Sequence, residues 1–384
     1  MSSTPARGLA GVTAGRTAIC SLDGTLRYRG YEIDDLVTGN FEEVAYLLVR
    51  GSLPTAAELE AFSARVRQAA ESLPPEVTDL LARLAAAAPQ ASTMDALRTA
   101  VSLLGQLALD DGPRMPADQA TLDAQTGHAE RLLGQVPAAL AAWVDLTNGR
   151  LPAPWPGGSL AEALLSRLRG GSVSPAEAEA FDTTLTLYAE HEFNASTFAA
   201  RTVTSTGSDM HSAVTAAIGA LKGPFHGGAN EKVLEQLGEI GSLDRVEPWL
   251  AEQLAARRVV MGFGHRVYKQ GDLRAVLLAD VCRKLIRREG VAESHRQLEQ
   301  LADRLEQLML DQKGLKPNLD WPAARVYHAL GLPISVFTPI FVVARMSGWT
   351  AHIVEQMGDN RLIRPLSEYC GEAPRPYVPL AARG

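Results

Sequence analysis

Three polar side chains stand in glycine- or proline-rich interruptions between apolar segments, where a helical protein can expose reactive groups. His226 lies in Gly-Pro-Phe-His-Gly-Gly, His265 in Met-Gly-Phe-Gly-His-Arg, and Asp320 in Pro-Asn-Leu-Asp-Trp-Pro. A carboxylate beside an indole and a proline can have the raised pKa that a general base for carbon acids requires. A neutral histidine ahead of a helix N-terminus can donate a hydrogen bond to a substrate oxygen. Structural alternatives stay open: Asp320 could be a helix N-cap, and His226 could cap a tight turn.

Three arginines could hold a small anion. Arg274 follows Asp272 by two residues, Arg364 precedes Pro365, and Arg345 is embedded in the apolar run Val-Val-Ala-Arg-Met. A buried arginine needs a partner, which is either a structural carboxylate or the carboxylate of a ligand. Since each charge-assisted hydrogen bond contributes roughly 1.5–3 kcal/mol, three arginines would bind a dicarboxylate firmly.

The glycines before His265 suggest two other kinds of site. Gly262 and Gly264 resemble part of a dinucleotide fingerprint, but the third glycine and the surrounding parallel-sheet pattern are missing. The basic residues around this segment suit the phosphates of a ligand such as coenzyme A, or else form a solvated face; they are Arg257, Arg258, Arg266 and Lys269. No histidine pair has the i, i+4 spacing of a metal site, and we predict no metal.

The elements that must position these residues are almost all helical. Only the start suggests β structure, because residues 17–22 and 25–28 flank Asp23-Gly24, a dipeptide suited to a hairpin turn. Ser174 and Glu177 match a capping box, which predicts a helix that runs to Tyr188 and delivers His191 at or just past its end. Further helices are predicted from near Ser208, from near Asn230 and over residues 339–357.

Composition limits the classes of protein that remain. The 384 residues are 46% hydrophobic and 21% charged, with a formal net charge of -7, which argues against nucleic acid or an anionic membrane as a partner. The apolar stretch 332–344 is interrupted by two prolines and is too short to span a bilayer. Three widely spaced cysteines (Cys20, Cys282 and Cys370) form no CxxC motif, so we expect a soluble protein of a reducing cytoplasm.

Five segments, taken in this order, resemble motifs of the citrate synthase family. They are His-Glu-Phe-Asn-Ala-Ser-Thr from His191, Gly-Pro-Phe-His-Gly-Gly-Ala-Asn-Glu around His226, Gly-Phe-Gly-His-Arg-Val-Tyr-Lys around His265, Pro-Asn-Leu-Asp ending at Asp320, and Asn-Arg-Leu-Ile-Arg-Pro around Arg364. The N-terminal Asp23-Gly24 segment also fits. The resemblance covers essentially the whole chain.

The resemblance implies condensation of acetyl-CoA with oxaloacetate and water to give citrate and coenzyme A, the first step of the tricarboxylic acid cycle. Asp320 would remove a methyl proton, His226 would stabilise the enol oxygen, and His265 would polarise the oxaloacetate carbonyl. The residues implied to bind oxaloacetate are His191, Arg274, Arg345 and Arg364. Those implied to contact coenzyme A are Val259, Val260, Met261, Gly262, Phe263 and Lys269. No cofactor is implied, because the thioester is a substrate.

The family resemblance also implies the architecture. We expect a mainly α fold with a short N-terminal β-hairpin, a large helical domain of residues 1–227 and 333–384, and a small domain of residues 228–332. The small domain would close over coenzyme A and oxaloacetate and exclude water. A homodimer is expected, in which Arg364 reaches the active site of the other subunit.

Because of departures from the family pattern, the sequence does not decide which acyl group the enzyme accepts. Leu273 replaces the usual proline before Arg274, and Leu366 replaces an arginine after Pro365. Trp321-Pro322 replaces the common Phe-Tyr after the aspartate, which reshapes the wall near the acyl group. The alternative is therefore a 2-methylcitrate synthase that uses propionyl-CoA. A regulator without catalysis is disfavoured, because the two histidines and the aspartate are all present.

Overall fold

The computed structural model describes residues 11–108, 117–265, 268 and 271–383. Within them, the predicted N-terminal β structure is a three-stranded antiparallel sheet of β1 (Cys20–Ser21), β2 (Arg27–Tyr28) and β3 (Tyr31–Glu32). Tyr28 pairs with Cys20 on one side and with Tyr31 on the other. The hairpin is thus confirmed, but its strands are shorter than predicted, residues 22–26 form a longer connection than a two-residue turn, and a third strand follows.

Apart from the connecting loops and the irregular segment after α16, the rest of the described chain is helical, with three short 3₁₀ turns. The helices of its first half are α1 (Ile33–Leu36), α2 (Phe41–Arg50), α3 (Ala56–Glu71), α4 (Pro75–Ala87), α5 (Thr93–Ala108), α6 (Gln119–Thr147), α7 (Leu160–Arg169) and α8 (Pro175–Tyr188). Those of its second half are α9 (Ala195–Ser205), α10 (Met210–Leu221), α11 (Ala229–Ile240), α12 (Val246–Ala255), α13 (Leu273–Ile286), α14 (Glu293–Lys313), α15 (Asp320–Ala329) and α16 (Phe337–Gly358). The mainly α class predicted from the periodicity is confirmed.

Local capping explains where α8 begins and why it presents a functional residue at its end. The Ser174 hydroxyl and the Glu177 carboxylate form the predicted capping box, and Pro175 occupies the first helical position. The helix ends at Tyr188, so His191 follows it closely, as predicted.

The other predicted helix starts lie within a few residues of the observed ones. The helix expected near Ser208 begins at Met210, the one near Asn230 begins at Ala229, and the one over residues 339–357 spans Phe337–Gly358. One helix begins inside a stretch that the sequence suggested was an interruption. The Asn194 side chain accepts a hydrogen bond from the Thr197 N–H and thereby starts α9 within the segment that follows His191.

Helix α16 forms the centre of the core and packs against α2, α6, α8, α9 and α10. Nearly all of its residues are buried, including Trp349 and Arg345. Among the described residues, the segment Ile334–Gly358 is the one that is long and apolar enough to cross a membrane, but 89% of its most apolar window is buried inside the protein. It is therefore the core helix of this fold. The division into a large domain and a small domain at residues 228 and 332 stays a prediction.

Candidate active site

One cleft of about 560 Å³ collects side chains from α8, α13, α15, α16 and the loops between helices. Leu22 of the N-terminal sheet also lines it. The residues singled out from the sequence that line this cleft are His191, His226, His265, Arg274, Asp320, Arg345, Val259, Val260, Met261, Gly262 and Phe263. Positions separated by more than a hundred residues in the chain therefore surround one space.

Of the residues that the family resemblance implies, one lies outside this cleft and one outside the described residues. Arg364 is exposed in the irregular segment after α16 and does not line the cleft of its own chain. Lys269 lies outside the described residues.

Asp320 is the first residue of α15, and the position before it, Leu319, is the N-cap, so the alternative of an Asp320 N-cap is wrong. The carboxylate accepts a hydrogen bond at Oδ1 from the Tyr188 hydroxyl, 2.7 Å away. Burial raises the pKa of Asp320 to about 6, although the Tyr188 hydrogen bond and the charge of Arg274 act in the opposite direction. At neutral pH the group is an ionised carboxylate that retains substantial basicity.

Asn318 fixes the backbone between this aspartate and the glycine-rich segment. Its N–H donates to the Gly262 carbonyl at 2.9 Å, its side-chain amide donates to the Gly264 carbonyl at 3.0 Å, and its Oδ1 accepts from the Asp320 N–H at 3.1 Å. Gly262 has a φ of +89°, and a Cβ there would lie 2.8 Å from the Trp321 ring, so only glycine fits. These bonds hold the segment that carries His265 beside the start of α15.

His226 lies in the turn between α10 and α11, and its ring contacts Ser196 at two atoms. Nε2 lies 3.3 Å from the Ser196 N–H and 2.8 Å from the Ser196 Oγ. The Ser196 N–H can only donate, so it favours Nε2 as the acceptor and a proton on Nδ1 of the neutral ring, while the Ser196 hydroxyl donates its own proton to Oδ1 of Asn194. Burial and then the charge of Arg345 lower the pKa of His226 to about 4. The imidazole is therefore a neutral hydrogen-bond donor at physiological pH.

Ser196 is itself held in place. The indole N–H of Trp349, a residue with no exposed surface, donates to Ser196 Oγ at 3.1 Å. The same oxygen lies 2.8 Å from Oδ1 of Asn194, the N-cap of α9. The orientation of His226 thus depends on α9 and on the central helix α16.

The rings of His191, His265 and Tyr268 contact one another and form one cluster. The Tyr268 N–H donates to Nδ1 of His265 at 3.2 Å, which leaves Nε2 of a neutral His265 as the nitrogen that can donate. The His265 ring stacks on the Tyr268 ring at 4.6 Å and lies 5.3 Å from the His191 ring. Nε2 of His191 is 3.0 Å from the Tyr268 hydroxyl. Burial, followed by the charges of Arg274 and Arg345, holds the pKa of His191 well below its usual value, so this ring is also neutral.

The two buried arginines of the cleft have different partners. Arg274 forms a two-point ion pair with Asp272, at 3.0 and 2.8 Å, and Asp272 also caps α13. Arg345 instead donates from Nε to the Tyr188 carbonyl at 2.7 Å and lies over the Phe341 ring. Its Nη1 is buried without a hydrogen-bond partner among the described residues. A buried guanidinium with an open donor edge is suited to an anionic ligand.

Sequence reasoning missed the residues that hold these groups in place. Ser196 and Asn318 lie inside motifs that were quoted only for their histidine and aspartate, and Tyr268 lies inside the motif of His265. The position of Tyr188 on α8 was predicted, but nothing in the local pattern links it to an aspartate 132 residues away.

Comparisons with known proteins agree with this fold. Over residues 8–366 the sequence matches the family described as "Citrate synthase, C-terminal domain". It is 43% identical over 383 residues to citrate synthase 2 of Bacillus subtilis, covering 99% of this chain and 100% of that protein. It is 44% identical over 387 residues to 2-methylcitrate synthase 2 of Corynebacterium glutamicum, covering 98% of this chain and 97% of that protein.

A solved structure of a citrate synthase has the same fold. The ternary complex of citrate synthase from the archaeon Thermoplasma acidophilum with carboxymethyl coenzyme A and oxaloacetate superposes with a TM-score of 0.90 and 32% sequence identity, covering 98% of this chain and 99% of that chain. The fold and the cleft define a mainly helical enzyme. More particularly, the chain belongs to the citrate synthase family, and it is an enzyme of the citrate synthase type.

Proposed function

We propose that this enzyme condenses acetyl-CoA with oxaloacetate and water to give citrate and coenzyme A, the entry reaction of the tricarboxylic acid cycle. The observation that carries the proposal is the shared cleft of Asp320, His226 and His265, which combines one basic carboxylate with two imidazoles. This combination suits deprotonation of a carbon acid followed by attack on a carbonyl.

In the first step Asp320 accepts a proton from the methyl group of the thioester. With a pKa of about 6 the carboxylate is ionised at neutral pH and is a stronger base than an exposed aspartate. His226 donates from Nδ1 to the thioester oxygen as negative charge develops there. A free enolate therefore need not form, because base and donor act on the same thioester.

In the second step the enol carbon attacks the ketone carbon of oxaloacetate, and a carbon–carbon bond forms. Nε2 of His265 donates to the ketone oxygen, which becomes the hydroxyl oxygen of the product. Water then cleaves the thioester, releasing the thiol of coenzyme A and the new carboxylate. No metal or cofactor takes part in this scheme, since the coenzyme A thioester is consumed as a substrate.

Oxaloacetate binding is assigned to His191, Arg274 and Arg345. The support comes from Arg345, which lines the cleft and whose buried Nη1 has no hydrogen-bond partner among the described residues. A carboxylate of oxaloacetate would satisfy this donor, and each charge-assisted hydrogen bond would contribute roughly 1.5–3 kcal/mol. Coenzyme A is assigned to residues 259–263, where Val259 exposes its side chain at the rim of the cleft, and to Lys269.

A homodimer is part of the proposal, with Arg364 of one chain completing the oxaloacetate site of the other. Support comes from the segment after α16, which exposes several large apolar side chains, as expected of a surface that a second copy covers. They are Leu362, Leu366, Tyr369, Tyr377 and Leu380. We also propose that residues 228–332 move as a small domain that closes over the ligands, and that the enzyme works in the cytoplasm, where its three free cysteines stay reduced.

A second candidate is 2-methylcitrate synthesis from propionyl-CoA. It is favoured by the 2-methylcitrate synthase of Corynebacterium glutamicum, to which the chain is as similar as to the citrate synthase of Bacillus subtilis. The sequence suggested that Trp321 forms the wall near the acyl group, but Trp321 is buried and does not line the cleft. It packs behind Phe263, which does line the cleft, with the ring centroids 4.5 Å apart.

The experiment is a steady-state comparison of acetyl-CoA and propionyl-CoA with oxaloacetate, followed by release of the coenzyme A thiol. We expect the larger kcat/KM with acetyl-CoA; a larger value with propionyl-CoA would make the second candidate the function. Asp320→Asn keeps an acceptor for the Tyr188 hydroxyl but removes the base, so condensation should be lost while calorimetry still detects oxaloacetate binding. The matched control is Asp182→Asn, which alters another buried carboxyl of raised pKa outside the cleft and should leave the rate unchanged.

A further inference from the structure

The hydroxyl of Tyr188 has an unusual partner for a buried phenol. Three tyrosines of the fold have almost no exposed surface: Tyr28, Tyr188 and Tyr327. The Tyr28 hydroxyl is satisfied by main-chain carbonyls, of which the nearest, that of Glu190, lies at 3.0 Å. The Tyr188 hydroxyl donates instead to a carboxylate, Oδ1 of Asp320, at 2.7 Å. Neutral carbonyls suffice to satisfy a buried phenol, so the pairing with an ionisable group calls for a reason beyond packing.

Tyr188 is held firmly on its other sides. Its main-chain carbonyl accepts the hydrogen bond from Arg345 Nε at 2.7 Å, and its ring packs on the Phe341 ring with the centroids 4.3 Å apart. Phe341 also lies 4.9 Å from the Arg345 guanidinium and 6.1 Å from the His226 ring. The phenol is thus fixed relative to the arginine assigned to oxaloacetate and to the histidine assigned to the thioester oxygen.

We propose that Tyr188 is a positioning residue for the reaction: it holds Oδ1 of Asp320 so that the other carboxylate oxygen is available to the acyl group. The hydrogen bonds found among the described residues include one to Oδ1 of Asp320, from Tyr188, and none to Oδ2. The inference rests on the proposed function, because it needs Asp320 to be the base. It adds that the position of this base is set from α8, a helix that packs against α15, which carries the base.

The hydrogen bond also adjusts the strength of the base. Donation from the phenol stabilises the ionised carboxylate and opposes the effect of burial on the pKa of Asp320. Without the phenol the carboxylate would hold its proton to a higher pH and would be free to rotate away from the acyl group. Loss of the hydroxyl should therefore change both the pH dependence and the rate of proton abstraction.

The test is Tyr188→Phe, which removes the hydroxyl while keeping the ring against Phe341 and the main-chain bond to Arg345. The acidic limb of the kcat profile should move up by about one pH unit, and kcat at pH 8 should fall about tenfold. KM for oxaloacetate should stay within about twofold, because the contact with Arg345 is made by the main chain. With deuterated acetyl-CoA, the primary isotope effect should increase, since proton abstraction becomes the slower step.

The matched control is Tyr327→Phe, which removes a buried hydroxyl from α15, the helix of Asp320, without a hydrogen bond to that aspartate. It should leave the acidic limb and the isotope effect unchanged, and thermal unfolding should show both variants folded. An unshifted acidic limb in Tyr188→Phe, or an equal shift in Tyr327→Phe, would overturn the positioning role. A failure of the proposed function itself would give another result: the unaltered enzyme would then condense neither acetyl-CoA nor propionyl-CoA with oxaloacetate.

Discussion

The orientation of His226 depends on one hydroxyl, and its removal gives a quantitative prediction. In Ser196→Ala the ring loses its 2.8 Å contact with Oγ and keeps only the longer 3.3 Å hydrogen bond from the main-chain N–H. The ring is then held at Nε2 by one polar contact instead of two, and it can tilt in the cleft. A donor aimed at a developing oxyanion loses much of its effect when it is misplaced by a fraction of an ångström.

The expected loss of stability follows from the hydrogen bond that the Ser196 hydroxyl accepts from Trp349. Trp349 donates its indole N–H to this oxygen at 3.1 Å and has no exposed surface, so the substitution leaves a buried donor unpaired. Such a loss costs about 1–3 kcal/mol of unfolding free energy. For catalysis we expect kcat to fall between about tenfold and a hundredfold, while KM for oxaloacetate changes little.

The rate of thiol release measures the effect on kcat, and urea unfolding measures the effect on the free energy of unfolding. The matched control is Ser347→Ala, a fully buried serine of α16 whose hydroxyl donates within its own helix to the Ala344 carbonyl at 2.9 Å. It removes a buried hydroxyl without touching a histidine, and it should leave kcat unchanged. If Ser196→Ala kept the normal kcat, the assignment of His226 as a donor oriented through Ser196 would be refuted.

Three further predictions follow from the same structure. The rate should decline below about pH 6 as Asp320 becomes protonated, which a kcat profile measures; a flat profile down to pH 5 would contradict its role as base. Arg345→Gln should raise KM for oxaloacetate about ten- to a hundredfold in steady-state assays, from the loss of one charge-assisted bond, and an unchanged KM would exclude Arg345 from the site. Gly348→Ala should destabilise the fold by about 1–3 kcal/mol in urea titrations, because its Cβ would lie 2.5 Å from the Ala189 carbonyl oxygen. Gly219→Ala, at an open helical position, is the control and should stabilise it slightly; equal effects of the two would refute the steric reasoning.

Local chemistry made much of the fold predictable. The Ser174 capping box fixes the start of α8, and the length of the apolar stripe fixes its end, so the place of His191 follows from neighbouring residues alone. The same holds for α11 and α16, whose starts depend on glycine, proline and the apolar periodicity after them. The cleft residues were recognised because glycine-rich loops stand out between apolar helices.

Contacts between distant segments could not be predicted in this way. Nothing near Asp320 in the chain indicates that its partner is Tyr188, and the local pattern favoured an N-cap that the structure does not contain. The sequence showed only that Asp272 precedes Arg274 by two residues, whereas in the structure Asp272 caps α13 and pairs with Arg274. Each of these bonds depends on how the helices pack, which periodicity does not encode. Arg364 lies outside the cleft of its own chain, so the role proposed for it requires a second subunit.

The difference between Arg274 and Arg345 bears on how a protein of net charge -7 can bind a dianion. The charge of Arg274 is already neutralised by Asp272. Arg274 can therefore offer fixed hydrogen-bond donors to a ligand but little unpaired positive charge. Arg345 is buried beside Tyr188 with a free Nη1, and burial lowers its pKa although the charge of Glu190 opposes this. An unpaired buried cation destabilises the empty cleft, and a bound carboxylate removes that penalty. The local field at Arg345 therefore outweighs the mildly repulsive global charge, because a group within hydrogen-bond distance is not screened by solvent as the surface charges are.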